Sequence, residues 1–533
     1  MRQRSTVLAA AAFAAVTAVT LTTAATAQAE TITIGLSSEA TSIDPHFHNL
    51  TPNSQIGRHI FDGLINQGSK QELIPALAES WKPIDPLTWE FKLRQGVKFH
   101  DGSDFNADDV VCSFERVPNV PNSPGSFALY SKGKTVEKVD DYTVRIKTAK
   151  PYPLMGNDVS TIMIVSDTKG CPSTTAQFNS GEAAVGTGPW KFAEYVPADR
   201  IVLDRNDSYW GKKPEFSRVV FKPIKSAPAR LAALLAGDVD MINAVPTTDV
   251  KSVKKNSKLT VSEGISNRVI YIHMDQFRED SPFITGNDGK PIKNPLLNTK
   301  VRQALSMAIN RPAIVERVME GQAIAAGQLL PQGFFGVSDK LKPVEFDLKK
   351  AKALLAEAGY PDGWKMTIHG PNDRYINDAK IVEALAQMFT RLGIETQVET
   401  LPRSVFFKRA SSGGKDNLPE FSLYLAGWGA GSGEASSPLR SLIATYDKSK
   451  GMGTANRGRH SDPEIDKLIV AALANVNDDE RAALLAHATE LAIDKAAIIP
   501  LHYQVNAWAS KKGLTYEART DEWTQAHSVR KVK

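Results

Sequence analysis

The sequence is poor in cysteine, lacks enzyme signature motifs and has no strong excess of either charge. Two cysteines in 533 residues are too few for a disulfide-rich scaffold. With 64 basic and 59 acidic side chains, the formal charge of +5 favours neither nucleic acid nor an anionic membrane as a partner. The motifs of zinc peptidases, nucleophile elbows, phosphate-binding loops and dinucleotide-binding folds are all missing. The sequence therefore predicts a protein that is not an enzyme and that requires no cofactor.

Long apolar runs are also missing after the N-terminus. Residues 7–25 contain only Ala, Val, Leu, Phe and Thr, and they follow a short basic segment with Arg2 and Arg4. Ala27-Gln28-Ala29 then forms a small-x-small cleavage site, which is typical of a secretory signal peptide. We expect residues 1–29 to be removed after Ala29 and the mature chain to be periplasmic. The cleavage site and the Ala- and Thr-rich composition favour this interpretation over a transmembrane anchor.

Strand-like and helix-like patterns alternate along the chain, which indicates an α/β fold. Trp89, Phe91 and Leu93 are separated by charged residues, the period-2 pattern of a half-buried strand. After two turn sequences, Asn106 has the position and chemistry of a helix N-cap, with Asp109 three residues later. A strand, a tight turn and a capped helix are therefore predicted between residues 89 and 114.

The wording of residues 89–114 resembles the signature of family 5 of the extracellular solute-binding proteins, the peptide-type receptors that serve ABC importers. Phrases similar to the same family follow in the family's order at residues 206–214, 237–241 and 301–305. The resemblance covers nearly the whole chain after the signal peptide. It implies an α/β, two-lobe periplasmic-binding-protein fold, with an extra subdomain inserted in the first lobe and a two-crossover hinge between the lobes.

The resemblance also implies domain boundaries. The two crossovers are expected near residues 267–272 and 500–504. The expected units are a first lobe of residues 30–268 and 505–533, its inserted subdomain at about 74–184, and a second lobe of residues 269–504.

The function implied by the resemblance is that of a periplasmic receptor. Such a receptor captures a peptide or peptide-like solute between its lobes and delivers it, as a monomer, to an ABC permease with its ATPase subunits. Alternatives within the class are a receptor for glutathione, for an opine-type conjugate or for a metal chelate. From another class, a periplasmic hydrolase or a chaperone would reuse the fold.

One segment of the second lobe departs from the pattern of the family's peptide receptors. In those receptors an aspartate three residues after a tryptophan binds the α-amine of the solute. Here Trp428 is followed by Gly431 at the aspartate position. Either Glu434, the nearest acid, takes over the amine, or this chain does not hold an α-amine in that way. Gly429 and Ser432 complete the candidate ligand-binding segment, whose Ser-Gly-Glu-Ala wording is similar to the glutathione-binding branch; the alternative for Trp428 is a core side chain.

Arg374 is the best candidate to bind a carboxylate of the solute. It follows a predicted strand in a loop, and a guanidinium can bind a carboxylate through two hydrogen bonds. The alternative is an exposed, solvated arginine. Arg403 and Lys408 are weaker candidates for an anionic solute. Ser38 and Glu39 resemble the first-lobe segment that lines the cleft of the family.

Two further pairs of residues leave their roles open. Cys112 and Cys171 would be oxidised to a disulfide in the periplasm if the fold brings them together, which the sequence does not determine. His46 and His48 are spaced like metal ligands but have no third ligand nearby, so a structural role is expected and no metal site is predicted.

Overall fold

A computed structural model of the chain describes residues 30–123 and 127–532. The expected signal peptide, residues 1–29, lies outside the described residues. In the described part, strands and helices alternate along the chain, as the sequence patterns predict. None of the helices described there has the length and apolar character needed to cross a bilayer.

The described residues contain twenty strands. In chain order they are β1 Thr31–Leu36, β2 Ile65–Gln67, β3 Leu73–Pro75, β4 Ala78–Asp85, β5 Thr88–Leu93, β6 Lys134–Asp140, β7 Thr143–Thr148, β8 Trp190–Val196, β9 Arg200–Arg205, β10 Arg218–Pro223, β11 Met241–Ile242, β12 Leu259–Met274, β13 Ile284–Thr285, β14 Ala323–Ala325, β15 Lys365–Pro371, β16 Glu395–Leu401, β17 Leu423–Gly429, β18 Ile499–Lys511, β19 Leu514–Tyr516 and β20 Val529–Lys531.

Fifteen α-helices accompany these strands in the same described residues. They are α1 Thr51–Ile60, α2 Ala107–Arg116, α3 Ala128–Ser131, α4 Met155–Val159, α5 Thr175–Ser180, α6 Ala227–Ala236, α7 Thr247–Lys255, α8 Thr299–Met307, α9 Arg311–Ala313, α10 Leu348–Glu357, α11 Asp378–Leu392, α12 Arg403–Ser412, α13 Ser436–Pro438, α14 Pro463–Ala472 and α15 Asp478–Asp494.

Twelve of the strands form one mixed sheet that extends through the whole molecule. Its order is β13-β15-β17-β12-β18-β11-β1-β10-β9-β8, with β14 attached to β18 and β16 attached to β15. The strand β1 is parallel to β10 and β11, and β15 is parallel to β16 and β17. The central strand β12 is antiparallel to both of its neighbours, β17 and β18. Two α/β units are therefore joined edge to edge through antiparallel strands.

The strands β12 and β18 carry the chain between the two units. Their pairing runs from Leu259 opposite Lys511 to Ile272 opposite Ile499. The register shifts twice between residues 265 and 271, so the two strands bend together at this point. The two long strands therefore form a double connection.

The buried apolar side chains divide at the same place. Three clusters draw on residues 32–259 and 507–529. Two other clusters draw on residues 269–503. The molecule therefore has two lobes with separate cores, which the crossing strands connect. The lobe boundaries expected from the sequence stay a prediction, and they fall between these two sets of cores.

The alternating segment of residues 89–93 lies in a small separate sheet of order β4-β5-β7-β6. Phe91 on β5 is fully buried in the core of this subdomain. The side chain of Asn106 accepts a hydrogen bond from the backbone nitrogen of Asp108 at 2.7 Å, and Asp109 Oδ2 accepts one from the Asn106 nitrogen at 2.8 Å. The strand and the capped helix predicted between residues 89 and 114 are thus confirmed.

The two histidines of the metal-like pair have different environments. His46 is fully buried, where its Nε2 donates to the Met163 carbonyl at 2.7 Å and its Nδ1 accepts from Arg116 at 3.1 Å. Burial and the Arg116 charge lower the pKa of His46 to about 4, so the ring is neutral. His48 is half-buried and lies 3.4 Å from the hydroxyl of a neighbouring threonine. His46 therefore has a structural role.

The two cysteines form a disulfide. Cys112 lies on helix α2 and Cys171 lies in a loop 59 residues later, with their Cα atoms 6.1 Å apart. This separation is within the range that a disulfide spans. The bond ties the subdomain helix to the segment that leads back to the main sheet.

Replacing both cysteines, Cys112→Ser with Cys171→Ser, should lower the free energy of unfolding by about 2–4 kcal/mol, because the unfolded chain gains the freedom of a 59-residue loop. Urea denaturation of the oxidised wild-type protein and of the double variant measures this difference. A reductant should destabilise the wild-type protein by a similar amount and leave the double variant unchanged. Equal unfolding midpoints of the oxidised proteins would contradict the prediction.

Candidate functional site

The segment from residue 427 to residue 434 forms the face of the second lobe that meets the first lobe. Strand β17 ends here, with Trp428 paired to Val269 and Gly429 paired to Arg268 of the crossing strand β12. Trp428 is half-buried against the second-lobe core, and its Nε1 donates to the Ser437 hydroxyl at 3.2 Å. The crossing strand therefore determines where this candidate segment lies.

Beyond the strand, backbone carbonyls of the segment contact the first lobe. The Gly431 carbonyl accepts from Gln71 Nε2 at 3.2 Å and from Gln67 Nε2 at 3.4 Å. The Ser432 carbonyl accepts from Asn157 Nδ2 of the inserted subdomain at 2.7 Å. These carbonyls have partners only while the two lobes are together, so the contacts report a closed arrangement.

Gly431 also borders a cavity of about 380 Å³. A Cβ atom at this position would meet no heavy atom within 4 Å, so the space that an aspartate would occupy is open. All other lining residues come from the first lobe and its subdomain, and they include the charged side chains Arg58, Asp62, Glu72, Glu517 and Arg519 and the aromatic side chains Phe127, Tyr130, Tyr209 and Trp523. Acidic, basic and aromatic side chains therefore line this cavity.

The buried charged side chains of the cavity wall, Asp62 and Arg58, have hydrogen-bond partners within the protein. Asp62 is buried and accepts hydrogen bonds from Trp210 Nε1 at 3.0 Å and from the Thr187 hydroxyl at 3.1 Å. Burial raises the pKa of Asp62, although these bonds oppose the shift. Burial also lowers the pKa of Arg58 to about 10, and Arg58 donates to Asn66 at 2.9 Å. The wall is thus a preformed polar surface.

Arg519 shapes the loop that forms the rim of the cavity. Its Nη2 donates to the carbonyls of Gln67 and Gly68, each at 3.0 Å, and pairs with Asp521 at 2.6 Å. The C-terminal segment of the first lobe therefore fixes the position of residues 67–69, which line the cavity.

Glu434 lies in a buried ion pair. Its Oε2 accepts from both Nη atoms of Arg481 at 2.6 Å, and its Oε1 accepts from the Ser436 hydroxyl. Glu434 is 2 % exposed, and the guanidinium of Arg481 also packs 4.3 Å from the ring of Phe335. A solute amine would have to compete with Arg481 for this carboxylate. A role of Glu434 in binding an amine stays a prediction.

Arg374 lies near the end of β17, because the hydroxyl of the next residue, Tyr375, donates to the Gly427 carbonyl at 3.0 Å. Its guanidinium is 5.1 Å from the ring of Tyr375, and the guanidinium of Arg268 is 6.0 Å from the same ring. Arg268 is paired with Glu522 at 3.2 Å, whereas no carboxylate of the described residues lies within ion-pair distance of Arg374. Desolvation lowers the pKa of Arg374, and the charges of Arg268 and Arg403 lower it further.

Ser38 and Glu39 line a different, much narrower pocket at the end of β1, together with Tyr195 and Arg200. Ser38 is exposed, and Glu39 pairs with Lys225 at 3.3 Å. Five of the site residues predicted from the sequence therefore lie in one segment: Trp428, Gly429, Gly431, Ser432 and Glu434. Arg374 lies near the start of this segment. Ser38 and Glu39, in contrast, line a separate pocket.

Comparison with known proteins gives the family. The family model "Bacterial extracellular solute-binding proteins, family 5 Middle" matches residues 72–450. The chain belongs to this family. It is 31 % identical to heme-binding protein A of Haemophilus influenzae over 462 residues, which cover 81 % of this chain and 79 % of that protein. It is 30 % identical to the glutathione-binding protein GsiB of Pectobacterium atrosepticum over 468 residues, covering 86 % and 85 %.

A solved structure confirms the fold. HbpA2 from Haemophilus parasuis superimposes with a TM-score of 0.80 at 26 % identity, covering 94 % of this chain and 100 % of that one. The α/β, two-lobe fold with an inserted subdomain and a two-strand hinge is therefore confirmed, as is membership of the periplasmic receptors of ABC importers. Both of these relatives are binding proteins.

Sequence reasoning missed several residues in and around the candidate site. Arg268, Gln71 and Asp62 carry no local pattern that separates them from other polar residues. Trp210, which donates to Asp62, lies in the segment of residues 206–214. This segment indicated the family, but it did not indicate what Trp210 does. Only their long-range partners reveal what these side chains do.

The Glu434–Arg481 pair leads to a prediction about stability. Glu434→Gln should lower the free energy of unfolding by about 3 kcal/mol, because the buried Arg481 would keep only the exposed carboxylate of Asp478, 3.7 Å away, as a counter-charge. Urea denaturation measures the loss. The matched control is Glu357→Gln, which breaks an exposed pair with Lys300 and should change stability little. If both variants unfold at the wild-type midpoint, the buried pair does not stabilise this loop.

Proposed function

We propose that this family 5 receptor captures a small peptide-like solute with more than one carboxylate, as glutathione has, between its lobes. The observation that carries the proposal is the guanidinium of Arg374. It makes no ion pair with a carboxylate of the described residues, and the charges of Arg268 and Arg403 act on it. Glu522 already neutralises Arg268, so Arg374 is the arginine of this group whose charge an anionic solute would neutralise.

The surroundings of Gly431, where the amine of the solute would bind, support the same class of solute. At the position where peptide receptors of the family carry an aspartate, Gly431 leaves open space. The nearest acid, Glu434, is already paired with Arg481. The amine of the solute would instead meet the cavity beside Gly431, where Glu72 and Glu517 provide exposed carboxylates. An amine displaced from the usual α-position agrees with this arrangement.

The size of the cavity also agrees with a small solute. Its volume of about 380 Å³ is at the lower end of the range for small-molecule sites, about 300–1,000 Å³. A relative that binds glutathione covers 86 % of this chain, and the wording of residues 432–435 is similar to that branch. Ser38 and Glu39 stay candidates for a solute that extends toward β1.

The proposal includes the route of transport. The signal peptide, residues 1–29, would direct export to the periplasm, where the mature receptor acts as a monomer. The first lobe, residues 30–268 and 505–533, would close on the second lobe, residues 269–504, about the crossing strands. The closed receptor would then deliver its solute to an ABC permease with its ATPase subunits.

Replacement of Arg374 tests the anionic site. Arg374→Ala should weaken binding of glutathione by about 1.5–3 kcal/mol, the scale of a hydrogen bond to a charged group. Isothermal titration calorimetry measures the affinity. Arg391→Ala, which removes an exposed arginine on helix α11, should leave the affinity unchanged.

The outcomes separate the alternatives. Wild-type protein that does not bind glutathione would exclude this solute, and native mass spectrometry of the purified receptor would then identify what it carries. Equal affinities of the wild-type protein and Arg374→Ala would remove Arg374 from the site. Hydrolysis of the solute by the purified protein would favour the hydrolase.

A further inference from the structure

Gln71 is a buried residue with a strained backbone at the contact between the lobes. It lies in the turn between β2 and β3, is 4 % exposed and has a φ of +63°. A residue with a Cβ atom rarely adopts this conformation, because the side chain crowds its own backbone. Strain of this kind persists only where other contacts hold the residue in place, and it is concentrated at functional positions.

The contacts that hold Gln71 come from three separate parts of the chain. Its Nε2 donates to the Ala430 carbonyl at 3.3 Å and to the Gly431 carbonyl at 3.2 Å, both in the second lobe. Its Oε1 accepts from Asn267 Nδ2 on the crossing strand at 2.6 Å and from the Thr520 hydroxyl at 3.4 Å. One amide therefore links the second lobe, the hinge and the C-terminal segment of the first lobe.

The loop of the second lobe is shaped to receive this side chain. A Cβ atom on Gly433 would lie 2.8 Å from the Cβ of Gln71, and Gly433 itself has a φ of +68°. A residue with a side chain at 433 would therefore collide with Gln71. The close approach of the two backbones requires a glycine at this point.

A second first-lobe residue contacts the hinge in the same way. Glu522 has a φ of +68° and pairs with Arg268, the residue after Asn267. It also accepts a hydrogen bond from the Ser266 hydroxyl at 2.7 Å. Two strained residues of the first lobe thus hold two consecutive residues of the crossing strand, at the point where the register of the strand changes.

We propose that Gln71 is the positioning residue that holds the lobes closed. In the closed arrangement its amide is fully engaged, and the strained backbone is kept in place by these bonds. When the lobes separate, the Ala430 and Gly431 carbonyls move away and the turn can relax. Residues on either side of Gln71, Gln67 to Ser69 and Glu72, line the cavity, so a bound solute stabilises the same turn. This link to the solute rests on the proposed function.

The test measures the distance between the lobes in the full chain without solute. Spin labels on Lys212→Cys and Lys352→Cys, one exposed position on each lobe, report the distance by double electron–electron resonance. The native cysteines are both in the disulfide, so only the introduced cysteines react. We expect Gln71→Gly to shift the distances to longer values and to accelerate dissociation of glutathione about tenfold.

The glycine variant distinguishes a residue that holds the lobes together from a residue that only shapes its own turn. Gln71→Gly removes the amide and also the backbone strain, so its melting temperature should not be below that of Gln71→Ala. Gln95→Ala, which removes an exposed glutamine of the same lobe, is the control and should leave the distances unchanged. Identical distance distributions for the wild-type protein and Gln71→Gly would overturn the proposal. Because this measurement uses no solute, its result does not depend on whether glutathione binds.

Discussion

The antiparallel pairing of β12 with β18 is the interaction on which the rest of the structure depends. These two strands connect the lobes, lie at the centre of the twelve-stranded sheet and separate the cores on either side. Their register shifts where the chain leaves one core for the other. Two hydrogen-bonded strands resist shear but bend more readily than a packed core, so the lobes can rotate as units while their interiors stay intact.

The contact between the lobes beside this hinge is made largely by backbone carbonyls of the second lobe. The end of β17 is aligned by its pairing with β12, which places Gly429 against Arg268. From there the carbonyls of residues 430–432 accept hydrogen bonds from amide side chains of the first lobe. The buried pair Glu434–Arg481 holds the loop, whereas Arg374 has no ion-pair partner among the described residues.

Much of the fold was accessible from local patterns. The alternation of Trp89, Phe91 and Leu93 and the cap at Asn106 are encoded within a few residues, and both are confirmed. The site was accessible only in part. The segment around Trp428 and Gly431 was found through its departure from a family pattern, and Arg374 through its chemistry. The position of Cys112 opposite Cys171 remained open, because a 59-residue loop can close in many ways.

The sequence by itself determined the class of the protein, the α/β alternation and the candidate segments, because periodicity, caps and family phrases are short-range properties. Only the tertiary structure decided which charges remain free. Glu434 lies three residues after Gly431 in the chain, yet its partner lies 47 residues away, and Gln71 reaches a carbonyl 360 residues away. Such pairings are set by the path of the chain through the two lobes. No local sequence pattern specifies that path. An acidic or amide side chain that binds a solute therefore cannot be distinguished, from the sequence alone, from one that stabilises the fold.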